Sequence, residues 1–281
     1  MKPWLILILI VIGLLLFSVV IAHQERGAST ETETQREPVA LDGQLTPVVV
    51  ELFTSEGCSS CPPADEVLAR LERTQPVPGA EVIALSEHVD YWNYIGWADP
   101  FSSSAFSARQ GEYARAFGLD GVYTPQMVVD GQAEFVGSKI GKARSAIAQA
   151  AQAPKAKVMI TRAQHPAAKA DAVPLSVRVT DLPPSHADST VEILLAITES
   201  NLHSNVSRGE NSGRQLNHTA VVRQLSVISS AQAREFKTLA AEPIVSIGNG
   251  WRRENLRAVV FVQERASRRL LGAASVGLAE E

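Results

Sequence analysis

The feature that most constrains this chain is a pair of cysteines, Cys58 and Cys61, placed where an apolar run gives way to a helical pattern. The run at residues 48–53 predicts a buried strand, and residues 62–73 predict a helix with one apolar face. The chain has no other cysteine. A lone Cys-x-x-Cys pair between a strand and a helix is typical of a redox-active dithiol.

Local physical chemistry favours Cys58 as the reactive thiol. A helix N-terminus carries partial positive charge and unpaired N–H groups, so a thiolate there has a lowered pKa and is nucleophilic near neutral pH. Cys61, one turn further on, is then the resolving thiol, and Pro62 and Pro63 suit the first turn of a helix.

Two other interpretations of the cysteine pair stay open. The pair could be a static structural disulfide, although a disulfide that closes so short a loop gains little from loop entropy. It could also be half of a metal site, although a four-ligand zinc site needs further cysteines or histidines nearby. We predict no metal and no cofactor other than a redox-active disulfide.

Length and composition limit the number of domains and the classes of partner. The chain has 281 residues, of which 45% are hydrophobic, enough for two globular domains beyond a leader. Its net charge is −4 and it has no basic stripe, so we expect no nucleic-acid partner.

The N-terminal segment predicts export. Residues 4–22 carry no charge and are dominated by Leu, Ile and Val, close to the ~20 residues that cross a bilayer as a helix, and Lys2 supplies a positive flank. We therefore predict that residues 1–22 are a signal anchor or signal peptide and that residues 23–46 are a flexible polar tether. The expected location is the periplasm, anchored to the inner membrane by residues 4–22; the alternative is a cleaved, secreted protein.

Residues 47–153 predict one domain with the order β-α-β-α-β-β-α. A helix between two buried strands indicates a βαβ unit and hence a parallel strand pair. The strands are predicted at 48–53, 81–86, directly after Pro125 and at 132–137, and the helices at 62–73, 103–117 and 140–151.

The segment around Pro125 predicts special backbone geometry. A proline directly before a buried strand suggests a cis Thr124–Pro125 peptide bond, and Asp130-Gly131 predicts a hairpin turn. The aromatic cluster near Trp92, at residues 91–97, predicts a packed cap near the dithiol end of the sheet.

Residues 154–281 predict a second, mostly β domain. Strands at 157–164, 175–180, 190–199, 219–228 and 256–264, separated by polar loops, suggest an antiparallel sandwich. The polar segment at 210–218 could reach the first domain and shape a substrate groove, but we favour a solvated loop, with His218 a surface or packing residue.

The first domain resembles thioredoxin-like proteins, which combine a Cys-x-x-Cys pair at a helix start with a cis-proline loop facing it. Cys58, Cys61 and Pro125 match those elements, and Glu51 resembles the buried carboxylate that some members use as a proton acceptor. The whole chain more closely resembles a bacterial family of secreted thioredoxin-like proteins known only as a domain of unknown function. That resemblance rests on residues 51–65, 88–92, 123–126, 209–214 and His218.

The resemblance implies a fold and a site. The fold is an α/β thioredoxin-like domain followed by a β sandwich-like domain. The implied catalytic residues are Cys58, Cys61, Pro125 and Glu51. The implied substrate-binding residues are Thr124, Trp92 and Tyr123.

The leading functional prediction is an exported thiol–disulfide oxidoreductase that acts on the thiols or disulfides of an unidentified protein partner. One alternative is a periplasmic copper-handling protein using Cys58, Cys61 and His88, since soft thiolates suit Cu(I). The other is a non-enzymatic binding module with a structural disulfide. If the leader is uncleaved, the membrane is a further partner.

Overall fold

The computed structural model describes residues 45–163, 171–184 and 189–279. The predicted leader at 1–22, and the predicted tether except for its last two residues, lie outside this range. Within the described part of the chain, no helix is both long enough and apolar enough to cross a membrane.

The first half of the described chain has the predicted order of elements. The elements are β1 (Thr46–Thr54), α1 (Pro62–Thr74), β2 (Ala80–His88), α2 (Ser104–Phe117), β3 (Gln126–Val129), β4 (Ala133–Val136) and α3 (Ile140–Ala150). The order β-α-β-α-β-β-α is therefore confirmed.

Strand pairing in this half also follows the sequence pattern. β1 and β2 pair in parallel, as predicted for a βαβ unit. β3 runs antiparallel to β1 and turns into β4 at Asp130-Gly131, whose φ angles of 48° and 65° are the left-handed values that such a turn needs. The Thr124–Pro125 peptide bond is cis, as predicted.

The second half is built almost entirely of strands. They are β5 (Lys157–Arg162), β6 (Ala172–Thr180), β7 (Thr190–Glu199), β8 (Leu202–Asn205), β9 (Gln215–His218), β10 (Val221–Gln232), β11 (Leu239–Ala241), β12 (Ile244–Ser246), β13 (Leu256–Glu264) and β14 (Leu270–Gly277). Short 3₁₀ turns lie at Asn93–Ile95, Ala233–Glu235 and Arg253–Asn255.

One mixed sheet joins the two halves. Its eight strands have the order β14-β13-β7-β10-β2-β1-β3-β4. The junction is the start of β10, where Val221 pairs in parallel with Ser86 of β2 and the Ser86 N–H donates to the Ala220 carbonyl at 2.8 Å. β5 and β6, with β11 and β12, form a second, smaller sheet, and β8 and β9 form a separate hairpin.

The predicted fold class, a thioredoxin-like α/β domain followed by a separate β sandwich, is therefore wrong. The described residues are mostly β, and the strands expected in a separate sandwich extend the sheet that begins with β1 and β2. The physical reason is visible in β7: Ile193 and Ile197 pack towards the small sheet, while Leu194 and Ala196 pack towards α2. A strand buried on both faces belongs inside a covered sheet.

The two faces of β1 carry different layers. Val48, Val50 and Leu52 pack with α1 and α3, on the same side as Leu68 and Leu71. The alternate residues, which include Val49 and Phe53, pack on the side of α2. This alternation decides which side chains of β1 can reach the start of α1.

Candidate functional site

The two cysteines form a disulfide in the loop between β1 and α1, with their Cα atoms 5.4 Å apart. Cys61 is the residue that caps the N-terminus of α1, and its N–H donates to the Cys58 carbonyl at 3.2 Å. Both cysteines are completely buried, whereas Ser59 and Ser60 between them are exposed. A partner must therefore displace part of the protein before it can reach either sulfur.

The start of α1 offers a thiolate fewer backbone donors than the sequence pattern suggested. Pro62 and Pro63 have no N–H, and the N–H groups of Ala64 and Asp65 both donate to the Cys61 carbonyl, at 2.8 and 3.2 Å. The helix macrodipole remains, but most of the unpaired N–H groups that normally stabilise an anion are missing.

The loop between β8 and β9, residues 206–214, covers the cysteine pair. The buried Asn211 amide donates to the carbonyls of Glu56 and Cys58 at 2.9 and 3.0 Å, and Arg214 donates to the Asn211 side-chain oxygen at 2.9 Å. The Glu210 carboxylate accepts a hydrogen bond from the Ser59 N–H at 3.0 Å, and hydrogen bonding to the side chain and the backbone of Ser59 lowers the pKa of Glu210. The expected solvated loop holds for most residues of 210–218, which are exposed, but not for Asn211. Asn211 supplies polar groups to backbone that would otherwise be buried without partners.

A buried carboxylate–imidazole pair lies directly beneath this loop. Glu56, which is 1% exposed, accepts hydrogen bonds from His218 Nε2 at 2.9 Å and from Trp97 Nε1 at 2.7 Å. His218 is thus a buried partner of the cysteine loop and not a surface residue. Sequence reasoning did not identify Glu56, although it lies two residues before Cys58.

A second carboxylate–imidazole pair packs against the first. His88 Nδ1 and Asp99 Oδ2 are 2.7 Å apart, and the rings of His88 and His218 are 4.9 Å apart. Burial opposes a charge on His88, but the neighbouring Asp99 carboxylate outweighs it and raises the pKa of His88. Burial likewise opposes the charge on Asp99, but His88 outweighs it and lowers the pKa of Asp99. The Asp99 carboxylate also accepts from the Glu56 N–H at 2.8 Å, which ties this pair to the cysteine loop.

Asp65 is a third carboxylate at the site. It lies in the first turn of α1, four residues after Cys61, and accepts a hydrogen bond from the Thr54 hydroxyl at 2.8 Å. Burial raises the pKa of Asp65 to about 6, against the lowering effect of His218 and His88. The spacing of four from a capping cysteine is a signal that could have identified it from the sequence.

The proline loop approaches the cysteine loop through Trp92. The Trp92 indole N–H donates to the Thr124 hydroxyl at 2.8 Å, and a Cβ on Gly57 would lie only 3.0 Å from the Cβ of Trp92. Pro125 is buried, and its carbonyl accepts from the Gly137 N–H at 3.0 Å. The predicted residues Trp92, Thr124 and Pro125 are thus gathered beside the cysteines.

Tyr123, unlike Trp92 and Thr124, makes its described hydrogen bonds with Glu134 and Gln110. Its hydroxyl donates to Glu134 at 2.5 Å, and burial together with Glu134 raises the pKa of Tyr123. Its carbonyl accepts from Gln110 at 2.7 Å. The described contacts hold the Tyr123 side chain against β4, so its predicted role in substrate binding stays a prediction.

The structure does not bring Glu51 to the cysteines. Glu51 belongs to the alternate residues of β1 that face α2, where it accepts from Arg109 Nε at 2.7 Å and Nη2 at 2.5 Å, and from the Tyr113 hydroxyl. The start of α1 lies on the other face, with Leu52. The carboxylates that accompany the cysteine loop are Glu56, Asp65 and Asp99.

The geometry gives no support to a metal centre. Among the described residues, no group of three or more His, Cys, Asp or Glu side chains is arranged to hold a metal ion. The arrangement of the site suits proton and thiol chemistry, since it gathers two imidazoles and three carboxylates around the loop that holds the disulfide.

Comparisons with known proteins place the chain in a family without a known function. The model of a family described as "Protein of unknown function (DUF1223)" matches residues 49–263. A crystal structure of a protein from Agrobacterium tumefaciens is 25% identical, with a TM-score of 0.64, over 85% of this chain and 97% of that one. No curated protein matches.

Two further solved structures are too dissimilar to bear on the fold. A β-glucuronidase from Bacteroides uniformis is 16% identical over 42% of this chain and 12% of that one, with a TM-score of 0.25. An alkylpurine DNA glycosylase from Pseudomonas fluorescens, bound to DNA, is 17% identical over 51% and 36% of the two chains, with a TM-score of 0.23.

Proposed function

This chain belongs to the DUF1223 family of proteins of unknown function, and we propose that it is a thiol–disulfide oxidoreductase whose redox centre is the Cys58–Cys61 pair. The proposal rests on the site and not on a fold family. It needs no metal and no organic cofactor, because the disulfide itself carries the two electrons.

One observation carries the proposal: a cluster of ionisable side chains, most of them buried, packs against the loop that holds the disulfide. The pairs Glu56–His218 and His88–Asp99 and the carboxyl of Asp65 surround the loop that holds it. Burying so many ionisable groups is unfavourable unless they are paired, and a cluster of perturbed ionisable groups beside a disulfide is a candidate functional site. A disulfide that only braced a four-residue turn would contribute little stability and would need no such surroundings.

The chemistry follows from the two thiols of the reduced protein. The Cys58 thiolate attacks a partner disulfide, forms a mixed disulfide and releases one partner thiolate. Cys61 then attacks Cys58 Sγ, re-forms the intramolecular disulfide and releases the second partner thiolate. The partner gains two electrons and two protons, and the dithiol loses them.

The covering loop has a defined part in this scheme. Both sulfurs are fully buried, and the contacts made by Asn211 and Glu210 close the cysteine loop on one side. We propose that residues 206–214 move aside to expose Cys58, beside Trp92 and Thr124, which then contact the partner. The backbone of Thr124 and Pro125 is the surface we assign to the partner peptide.

The deciding experiment is the reduction potential of the pair in the full chain, equilibrated with glutathione. A potential between about −120 and −270 mV is expected for an exchange-active dithiol, whereas a value below about −300 mV would mark a structural disulfide and overturn the proposal.

A trapping experiment with matched variants adds a second readout. Reduced Cys61→Ser, incubated with glutathione disulfide, should accumulate one glutathione adduct on Cys58, detectable by intact mass. Reduced Cys58→Ser should accumulate far less, because Cys61 is then the only thiol and its first-turn surroundings are acidic. Equal adduct formation by the two variants would contradict the assigned roles.

We propose that the dithiol acts on protein partners outside the cytoplasm, because residues 4–22 are uncharged and follow a lysine. Fusion of a reporter phosphatase that is active only in the periplasm to the C-terminus should give activity. The same fusion without residues 4–22 is the matched control and should give none. Equal activity from the two fusions would contradict this location.

A further inference from the structure

Asp65 and Cys61 share one face of the first turn of α1. Cys61 has helical backbone angles, φ −79° and ψ −39°, and the Asp65 N–H donates to its carbonyl at 3.2 Å. Residues four apart on a helix are neighbours, with about 5–6 Å between their Cβ atoms. The Asp65 carboxyl is therefore within reach of the Cys61 thiol once the disulfide is reduced.

The surroundings of Asp65 come from several elements. Thr54, at the end of β1, donates to Oδ1. The charges of His218 from β9 and His88 from β2 favour the carboxylate, and Asp99 opposes it. On α1 itself the next residue, Glu66, is exposed. Asp65 is thus partly desolvated but stabilised by two imidazoles.

Resting on the oxidoreductase function proposed above, we propose that Asp65, and not Glu51, accepts the proton of the Cys61 thiol during resolution of the mixed disulfide. The Asp65 carboxylate removes the proton from Cys61 Sγ, and the resulting thiolate attacks Cys58 Sγ. The Cys58–Cys61 bond forms as the bond from Cys58 to the partner sulfur breaks. The partner leaves as a thiolate and takes the proton from Asp65, which returns to the carboxylate.

This assignment predicts a particular dependence on pH. Because burial raises the pKa of Asp65 to about 6, the group is a carboxylate at pH 7 and loses its capacity to accept a proton below about pH 6. The resolution rate should therefore show an inflection near pH 6. Without Asp65 the rate should instead keep rising until the thiol itself ionises, near about pH 8.5.

The test uses the full chain and glutathione disulfide as the probe. Reduced protein is mixed with excess probe and quenched with acid at intervals, and the mixed disulfide and the closed disulfide are counted by intact mass from pH 5 to 9. Asp65→Asn should slow resolution at pH 7 at least tenfold. General acid–base catalysis contributes a factor of about a hundred or more, so a tenfold loss is a conservative threshold. It should also remove the inflection near pH 6, whereas Asp65→Glu should restore much of both.

Glu66→Gln is the matched control, since it removes the same charge from the same helix turn at an exposed position. It should resolve at the wild-type rate with the wild-type inflection. If Asp65→Asn behaves like Glu66→Gln, or if the wild-type rate has no inflection between pH 5 and 7, Asp65 is not the proton acceptor.

The two proposals fail in different ways. If wild-type protein forms no mixed disulfide with the probe, the oxidoreductase function fails and this inference fails with it. If the wild-type protein exchanges normally and substitution of Asp65 leaves the rate of resolution unchanged, only the assignment of the proton acceptor fails. Should Asp65→Asn not fold, the wild-type profile and Asp65→Glu still decide the question.

Discussion

Among the described residues, buried carboxylates lie on opposite faces of β1, at the cysteine loop and beside α2, and the two groups differ in the cation that they meet. At the cysteine loop, Glu56 and Asp99 pair with imidazoles. On the α2 face, Glu51 pairs with the guanidinium of Arg109, and burial raises the pKa of Glu87 beside them well above its ordinary value, against the lowering effect of Arg109. An arginine stays charged at any physiological pH, whereas a histidine changes charge near neutrality.

This difference separates a structural cluster from a chemical one. The Arg109 cluster also includes Tyr113 and Gln263, so it ties β1, α2 and β13 together through a guanidinium that stays charged. The histidine cluster ties the cysteine loop to groups that can gain or lose a proton. Three predictions test the contrast, in order of expected effect.

The largest effect is expected from Arg109→Met. This variant removes the cation and leaves Glu51 buried without it, and breaking a buried ion pair in this way costs about 3–5 kcal/mol. Urea unfolding, followed by tryptophan fluorescence, measures the loss. Arg115→Met on the same helix is exposed and should change the unfolding free energy by less than about 0.5 kcal/mol.

The reduction potential of the cysteine pair in folded Arg109→Met should equal that of the wild type, because Arg109 pairs on the other face of β1. A stability loss below about 1 kcal/mol, or a shifted potential, would break the distinction between the two clusters.

A pH-dependent effect is expected from His88→Gln. The pKa of His88 is raised in the folded protein, so its protonation contributes stability that is fully present below about pH 6.5 and is lost as pH rises through the folded pKa. The lowered pKa of Asp99 keeps its charge through this window. The variant should therefore lose roughly 1.5–3 kcal/mol at pH 5, the range for hydrogen bonds to charged groups, and less at pH 9.

Urea unfolding at the two pH values measures this effect, with the exposed His203→Gln as the control. A loss that is equal at pH 5 and pH 9, or greater at pH 9, would show that His88 is held as a neutral ring and would remove the contrast with Arg109.

The smallest effect on stability is expected from Asn211→Ala. It removes two neutral hydrogen bonds to backbone carbonyls, worth about 1–2 kcal/mol together. Because those bonds hold the covering loop on the cysteine loop, reduced Asn211→Ala should react several times faster than wild type with a thiol reagent. Ser212→Ala, in the same loop but exposed, is the control. Unchanged thiol reactivity would contradict the gating role of residues 206–214.

Local elements were predictable because their causes are local. The apolar run of β1, the prolines that open α1, the parallel βαβ unit, the turn at Asp130-Gly131 and the cis bond before Pro125 all depend on residues close together in the chain. The predicted gathering of Trp92, Thr124 and Pro125 near the cysteines followed from this order of elements.

The errors concern residues that are distant in the chain. A separate sandwich was expected because several short strands with partial alternation suggest one, but β10 pairs with the free edge of β2 and draws β7, β13 and β14 into the same sheet. Glu51 was expected at the cysteines, yet the alternation of β1 turns it to the opposite face. The loop at 210–218 was expected in solvent, yet Asn211 is completely buried.

The amino-acid sequence alone determined that the only two cysteines lie at a strand-to-helix junction, and it determined the turn at Asp130-Gly131 and the cis bond before Pro125. Spacing and backbone preference act within a few residues, so these features need no distant contact. Only the tertiary structure decided what surrounds the disulfide. Glu56 meets His218 across 162 positions and Asn211 meets Cys58 across 153. Such pairings follow from sheet order and from the need to satisfy buried polar groups, and neither is encoded in any short stretch of the chain.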